Sequence, residues 1–340
     1  MEYRPLGASG LMVSPFCLGT MMFGKATTED EAAAIVNIAF DAGVNFIDTA
    51  ASYALGHGEE IVGRLVAPHR DDWVLATKVG PPTGDGPNQT GTARRHVQLS
   101  LERSLRRLGT DRVDVFYLHL DDPITPLEES VRAMGDAVHQ GKALYWGVSN
   151  FWSWRMAEAV GIARALGVAP PIVVQPYYHA LNRRPEVELL PAAAHFGLAV
   201  VPYSPIARGM LTGKYRPGEP PPEGSRAARA DKEILGREWR EESMVVAAAM
   251  ADRARQRGMT PVHFAVNWQR ANARITSVLV GPKTADQMRE YLGALDHGFD
   301  ADDAAFVDGL VPPGSASTHG YYDPEYPLTG RIQRDLVPGR

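Results

Sequence analysis

VDVFYLHLDDPITPLEESVRAMGDAVHQGKALYWGVSN, residues 113–150, contains the unit from which the rest of the chain is built. Residues 113–119 and 143–149 are nearly continuous apolar runs of strand length. Between them, about 127–140, apolar residues recur at helical spacing. Pro126 followed by Leu127, Glu128 and Glu129 marks a first helical turn. Proline suits the first position, and acids suit the positive end of the helix dipole. Gly141 stands just past the end, where a left-handed residue stops a helix. Two strands apolar on both faces, joined through a helix, make a parallel unit covered on both sides.

The same unit repeats in both directions. Further strand-like runs lie at 16–19, 45–49, 73–79, 172–177, 199–203 and 277–280, which brings the number to eight. Helical patterns lie at about 29–42, 58–68, 93–108, 153–167, 186–196, 241–257 and 284–294, beside the one at 127–140. Thr28-Glu-Asp-Glu has capping-box spacing, and Gly109, Gly167 and Gly197 follow helical runs as Gly141 does. Eightfold strand–helix alternation predicts an α/β fold, a (β/α)8 TIM barrel; a doubly wound open sheet is the alternative. Residues 3–13 read as an N-terminal β-hairpin turning at Gly7–Gly10. With no low-complexity linker, residues 1–340 read as one domain, with a barrel core of about 13–295 and a tail at 312–340. A Pro/Gly/Arg-rich stretch at 207–229 is too long for an ordinary connection. Following the seventh strand, it falls on the catalytic face. It and the tail, with Tyr321, Tyr322 and Tyr326, are candidate covers for a pocket.

A net charge of −5 with both signs interspersed argues against a nucleic-acid surface. The arginines at 94, 95, 103, 106 and 107 share one amphipathic helix and read as a solvated face. The single cysteine, Cys17, sits in a strand-like run and reads as a small core residue. No charged-then-apolar leader and no run of membrane-spanning length is present, so a soluble, cytoplasmic protein is expected.

Four polar residues stand where strands run out: Asp48, Tyr53 in the turn after it, Lys78 and His119. In barrels of this kind the C-terminal strand ends carry the chemistry. A phenol titrates near ~10, and a neighbouring ammonium favours its ionised form, lowering that value. Asp48 would hold Lys78 charged, Tyr53 could donate a proton to a carbonyl oxygen, and His119 could hydrogen-bond that oxygen. Lys78 alone would also suit a Schiff-base lyase. Other motifs fail. Gly19-Thr-Met-Met-Phe-Gly24 has the wrong spacing for a dinucleotide fingerprint, and Gly209-Met-Leu-Thr-Gly-Lys214-Tyr215 is no phosphate loop. His57, His119 and Asp121 lack a metal-ligand framework, so no metal is expected.

These residues bring out a resemblance to the aldo-keto reductases that runs from about Tyr3 to Leu295. It is carried by Gly43-Val-Asn-Phe-Ile-Asp-Thr-Ala with Tyr53 and Gly58-Glu-Glu-Ile-Val-Gly63. Asp114-Val-Phe-Tyr-Leu-His119 with Asp122-Pro, and Gly141-Lys-Ala-Leu-Tyr-Trp-Gly-Val-Ser-Asn150, add to it. The resemblance implies Tyr53 as proton donor, Lys78 and Asp48 as the groups that tune it, and His119 as the group that orients the carbonyl. It also implies a cofactor site, for NADP(H). Ser149, Asn150 and Gln175 would bind the nicotinamide carboxamide, and Tyr203 would stack on its ring. Gly19, Thr20, Met21 and Asp48 would border it. Ser204, Pro205, Ile206, Arg208 and Gly209, with Lys214 and Arg226, would cover the pyrophosphate. Gly281, Lys283, Gln287 and Glu290 match adenosine-binding positions. Tyr291 stands where the family usually has Asn. Lys283 opens the eighth helix, where a cation and free N–H groups could hold a 2′-phosphate, so NADP(H) is expected over NAD(H).

Substrate contacts are expected from Met21, Phe23, Tyr53, His119 and Trp152, with Ala54, Leu55 and Trp154 on the same wall. An aromatic wall with few fixed charges suits a neutral aldehyde, ketone, keto-sugar or cyclic ketone. Arg208 could instead recognise an anionic substituent. The expected activity is reversible carbonyl reduction of a small molecule. The alternative is a weakly catalytic, cofactor-binding subunit similar to potassium-channel beta subunits. Oligomeric state is left open by the sequence.

Overall fold

A computed structural model of the chain describes residues 1–324. An antiparallel hairpin, β1 (Arg4–Pro5) and β2 (Met12–Val13), precedes eight parallel strands. These are β3 (Phe16–Gly19), β4 (Phe46–Asp48), β5 (Val74–Val79), β6 (Val113–Leu118), β7 (Ala143–Ser149), β8 (Val173–Gln175), β9 (Ala199–Val200) and β10 (Val278–Val280). Each pairs with the next from β3 to β9, and β10 pairs with β3. The ring is completed by main-chain hydrogen bonds from Thr276 N to Val200 O (2.9 Å) and from Leu279 N to Pro202 O (3.0 Å). The fold is the (β/α)8 barrel that the alternation predicts.

Six helices follow β3 to β8 in turn: α1 (Glu29–Asp41), α2 (His57–Val66), α3 (Arg94–Leu108), α4 (Leu127–His139), α5 (Ser153–Leu166) and α6 (Leu189–Phe196). Three more, α7 (Lys232–Arg237), α8 (Glu241–Gln256) and α9 (Pro261–Arg270), lie between β9 and β10. After β10 come α10 (Ala285–Gly293) and α11 (Ala301–Leu310). The sequence reading missed α7, α9 and α11. For α9 the signal was present: Thr260 caps it by accepting from His263 N, and Pro261 opens it. An expectation of one helix per strand left no place for it. Thr28 caps α1, but the reciprocal half of the capping box is diverted. Glu31 Oε1 accepts from Ala285 N (2.5 Å) and so ties α1 to the first turn of α10.

Period-2 alternation sorts the strand residues. Cys17, Phe46, Val74, Ala76, Val115, Tyr117 and Val173 fill the barrel, while Leu18, Ile47, Leu75, Phe116 and Val148 face the helices. Leu6 and Val13 of the hairpin join the inner cluster and plug the barrel's N-terminal end. The arginine face on α3 is only partly a solvated one. Arg107 Nε donates to Glu59 Oε2 (2.7 Å), a carboxylate on α2 with no exposed surface that also accepts from Thr77 Oγ1 (2.5 Å). Gly63 makes this contact between helices possible, since a Cβ there would lie 2.4 Å from Leu108 O. Among the described residues no helix is long and apolar enough to cross a membrane.

Candidate active site

The inward register of β4, β5 and β6 runs on to their C-terminal ends. Asp48 continues from Phe46, Lys78 from Val74 and Ala76, and His119 from Val115 and Tyr117. Lys78 and Asp48 are both buried and form a direct ion pair. Lys78 Nζ also donates to Thr49 O (2.8 Å) and reaches Tyr53 Oη at 3.5 Å. The Tyr53 and His119 rings meet edge to face, centroids 6.0 Å apart. The four residues predicted from strand ends are therefore one contiguous group.

Burial sets their electrostatics. Burial opposes a charge on Lys78, but the Asp48 carboxylate and the Tyr53 phenol hold its ammonium above the ordinary range. The Tyr53 phenol is pushed up, because burial outweighs the pull of Lys78. This reverses the sequence expectation of a lowered phenol. His119 is pushed well below the usual imidazole range by burial and by Lys78, which leaves the ring neutral. Its Nδ1 is buried with no hydrogen-bond partner among the described residues.

A cavity of about 1420 Å³ opens over Asp48, Tyr53 and His119. That volume exceeds the ~300–1,000 Å³ typical of small-molecule sites and leaves room for a dinucleotide beside a substrate. Around its floor runs a chain of polar contacts. Gln175 Nε2 donates to Asp48 Oδ2 (3.1 Å), and Ser149 Oγ donates to Gln175 O (2.9 Å). Asn150 Nδ2 donates to His119 O (2.9 Å), while Tyr203 Oη donates to Asn150 Oδ1 (2.8 Å). The predicted carboxamide and stacking residues are thus hydrogen-bonded to the tetrad and to one another.

The other predicted cofactor residues also line this cavity. Gly19, Thr20 and Met21 border its floor, and Ser204, Pro205, Ile206, Arg208 and Gly209 form one wall. Lys214 and Arg226 come from the long stretch after β9; Gly281, Lys283, Gln287, Glu290 and Tyr291 come from α10 and the turn before it. Lys214 and Lys283 both line the cavity and have no carboxylate partner among the described residues. Lys283 N is capped by Gln287 Oε1 (2.7 Å), and Glu290 accepts from Thr260 Oγ1 (2.5 Å). These residues fit such a cofactor. Arg208, in contrast, has both its Nη atoms occupied, by Glu238 (3.1 Å) and Glu233 (3.0 Å).

The backbone around the cavity is strained. Ala54, Leu55, Asn150, Ser204, Ala207 and Arg208 all have positive φ, which costs a non-glycine residue about 1–3 kcal/mol each. Ala54 and Leu55 directly follow Tyr53, so the turn that aims the phenol is held there by its surroundings.

Several expectations fail in detail. Phe23 is fully buried in the core between barrel and helices and does not line the cavity. Lys78, expected only to tune Tyr53, is not itself a lining residue. Ala54 and Leu55 are not among the lining residues, whereas Trp152 and Trp154 are. The described part of the tail does not line the cavity either. It docks outside: Ser317 N donates to Leu181 O (3.0 Å), and Arg184 and Arg240 stack on Tyr322 and Tyr321. Tyr326 lies outside the described residues. His57 pairs with Glu60 (3.0 Å), and among the described residues no three His, Cys, Asp or Glu side chains group as metal ligands.

The sequence reading also missed a pair on the cavity wall. Arg155 Nε donates to Asp121 Oδ1 (3.0 Å) and Oδ2 (3.1 Å), and its Nη1 donates to Glu158 Oε2 (3.0 Å). Nothing local announces it, because Asp121 follows β6 and Arg155 lies in the first turn of α5.

The family model described as the aldo/keto reductase family matches residues 15–312, nearly the whole barrel. The chain belongs to the aldo/keto reductase family. Among curated members, probable voltage-gated potassium channel beta subunits of Oryza sativa subsp. japonica and Arabidopsis thaliana are each 37% identical to it. Each match covers 87% of this chain and 92% of the relative. An L-glyceraldehyde 3-phosphate reductase of Escherichia coli (strain K12) is 34% identical, over 92% of this chain and 93% of the relative. This aldo/keto reductase is therefore similar both to a named enzyme and to named channel subunits.

Proposed function

We propose that the chain is an NADP(H)-dependent carbonyl reductase that interconverts a small aldehyde or ketone and its alcohol. The observation that carries this reading is the buried Asp48–Lys78 pair set 3.5 Å below the Tyr53 phenol, at the floor of the cavity beside His119. The cofactor, when bound along the wall from Ser149 to Glu290, supplies the hydride. Tyr53 gives its proton to the substrate oxygen. Lys78, held charged by Asp48, stabilises the phenolate left behind. His119, neutral and with a free ring nitrogen, orients the carbonyl. Lys283, two residues before α10, supports a preference for NADP(H) over NAD(H) through its charge; the N–H groups expected to help it are partly taken, by Gln287 on Lys283 N and by Glu31 on Ala285 N. A paired, buried ammonium is a poor amine nucleophile, which counts against a Schiff base at Lys78.

The similarity to channel subunits supports a second reading, a cofactor-binding subunit with little turnover. NADPH oxidation against a panel of aldehydes, ketones and keto-sugars separates the two. Turnover across part of the panel is expected, and Tyr53→Phe should lower it by at least about 10²-fold while retaining NADPH affinity. Tight NADPH binding with silence across the panel would favour the subunit. NADH preferred over NADPH would overturn the cofactor assignment.

A further inference from the structure

We propose that the cavity selects a neutral, polyhydroxylated carbonyl compound, and that the Asp121–Arg155 pair with Trp152 is the subsite that does so. This rests on the carbonyl-reductase reading and names its substrate class. Asp121 follows His119 by two residues, and both line the cavity. The pair's side chains are only 20% and 14% exposed, and the exposed part faces the cavity. Arg155 also packs over the Trp154 ring at 5.4 Å, and Trp152 is 38% exposed beside them.

Three properties of this wall point to hydroxyl groups. Arg155 engages Asp121 Oδ1 through both Nε and Nη2 but Oδ2 through Nε alone, so Oδ2 keeps a lone pair that can accept from a further hydroxyl. An apolar ligand covering the pair would strip these atoms of water and return nothing. The two charges cancel, and the guanidinium is committed to Asp121 through Nε and Nη2 and to Glu158 through Nη1. A phosphate would have to break those bonds, so the wall does not favour an anion. An exposed indole face beside hydrogen-bonding groups matches a carbon chain that has C–H bonds on one side and hydroxyls on the other.

The test compares kcat/KM for glyceraldehyde and propanal, with glyceraldehyde 3-phosphate as the anionic probe. A hydroxyl next to the carbonyl raises intrinsic reactivity, so the readout is the change in the glyceraldehyde-to-propanal ratio between wild type and variant. The double variant Asp121→Leu with Arg155→Met removes both charges together, and its ratio should fall by at least about tenfold. Should that variant fail to fold, Asp121→Asn serves the same comparison. An unchanged ratio would overturn the proposal, as would a wild-type preference for the phosphorylated aldehyde over glyceraldehyde. If no carbonyl in the panel is reduced, the reductase reading falls, and binding then decides the subsite alone. Xylitol should quench tryptophan fluorescence of the NADPH-bound protein, less so in Trp152→Phe and in Asp121→Asn. Absence of quenching in wild type would sink the subsite.

Discussion

Tyr53 must be protonated to act as a donor, and His119 must be neutral to hydrogen-bond a carbonyl as proposed. Burial moves the phenol above its usual value of 10.0 and the imidazole well below its usual 6.5. The phenol's competence is therefore present at all pH below its raised value and is lost only as pH rises through it. The imidazole's competence is present above its lowered value and is lost only as pH falls through that. The kcat/KM for carbonyl reduction should accordingly stay level from below pH 6 to about pH 10; a limb centred near 6.5 that disappears in His119→Asn would contradict this. Lys78→Met leaves the buried Asp48 carboxyl without its ion-pair partner. It should destabilise the protein by about 3–5 kcal/mol, measured by urea unfolding. The identity of all four residues was legible in the sequence, because strand ends and residue chemistry can be read locally. The direction of the Tyr53 shift was not, since it depends on how much protein surrounds the ring.

Among the elements, short apolar strands and capped amphipathic helices announced the barrel, and all eight expected helices lie close to where periodicity put them. The connection from β9 to β10 holds two more, α7 and α9, on either side of the expected one. Tertiary packing also reassigned individual residues: Glu31 serves α10 instead of its own cap, and Arg107 neutralises Glu59. Replacing Arg107 by Met should leave the Glu59 carboxylate uncompensated and destabilise the fold by about 3 kcal/mol, read from the denaturant midpoint. Thr260→Ala removes the cap of α9 and the hydroxyl that Glu290 accepts from. A stability loss of about 1 kcal/mol is expected from the cap. A rise in the NADPH dissociation constant should accompany it if Glu290 contacts the adenosine, and titration of NADPH fluorescence checks this.

For the whole molecule, Glu238 joins parts of the chain that are distant in sequence. Its carboxylate accepts from Tyr177 after β8 and from Arg208 in the stretch after β9, and it lies 3.5 Å from His179 Nε2. Burial opposes its charge, but His179 and Arg208 outweigh burial and hold its pKa at about 2. A lowered carboxylate stabilises the fold above its unfolded value near ~4.3 and loses that contribution as pH falls toward about 2. The denaturant midpoint of wild type, compared with Glu238→Gln, should therefore lose ground chiefly between about pH 4 and pH 2. A parallel pH dependence of the two proteins would remove Glu238 from this role. By itself the sequence determined the barrel and the four strand-end groups, because these follow from apolar runs of strand length alternating with 3.6-residue helical patterns and from residue chemistry. Only the tertiary structure decided that Phe23 lies in the core, that Arg208 is already paired and that the described tail docks outside the cavity. It alone placed the Asp121–Arg155 pair on the cavity wall. Those outcomes depend on which side chains from distant loops meet across the top of the barrel, and no local pattern encodes such meetings.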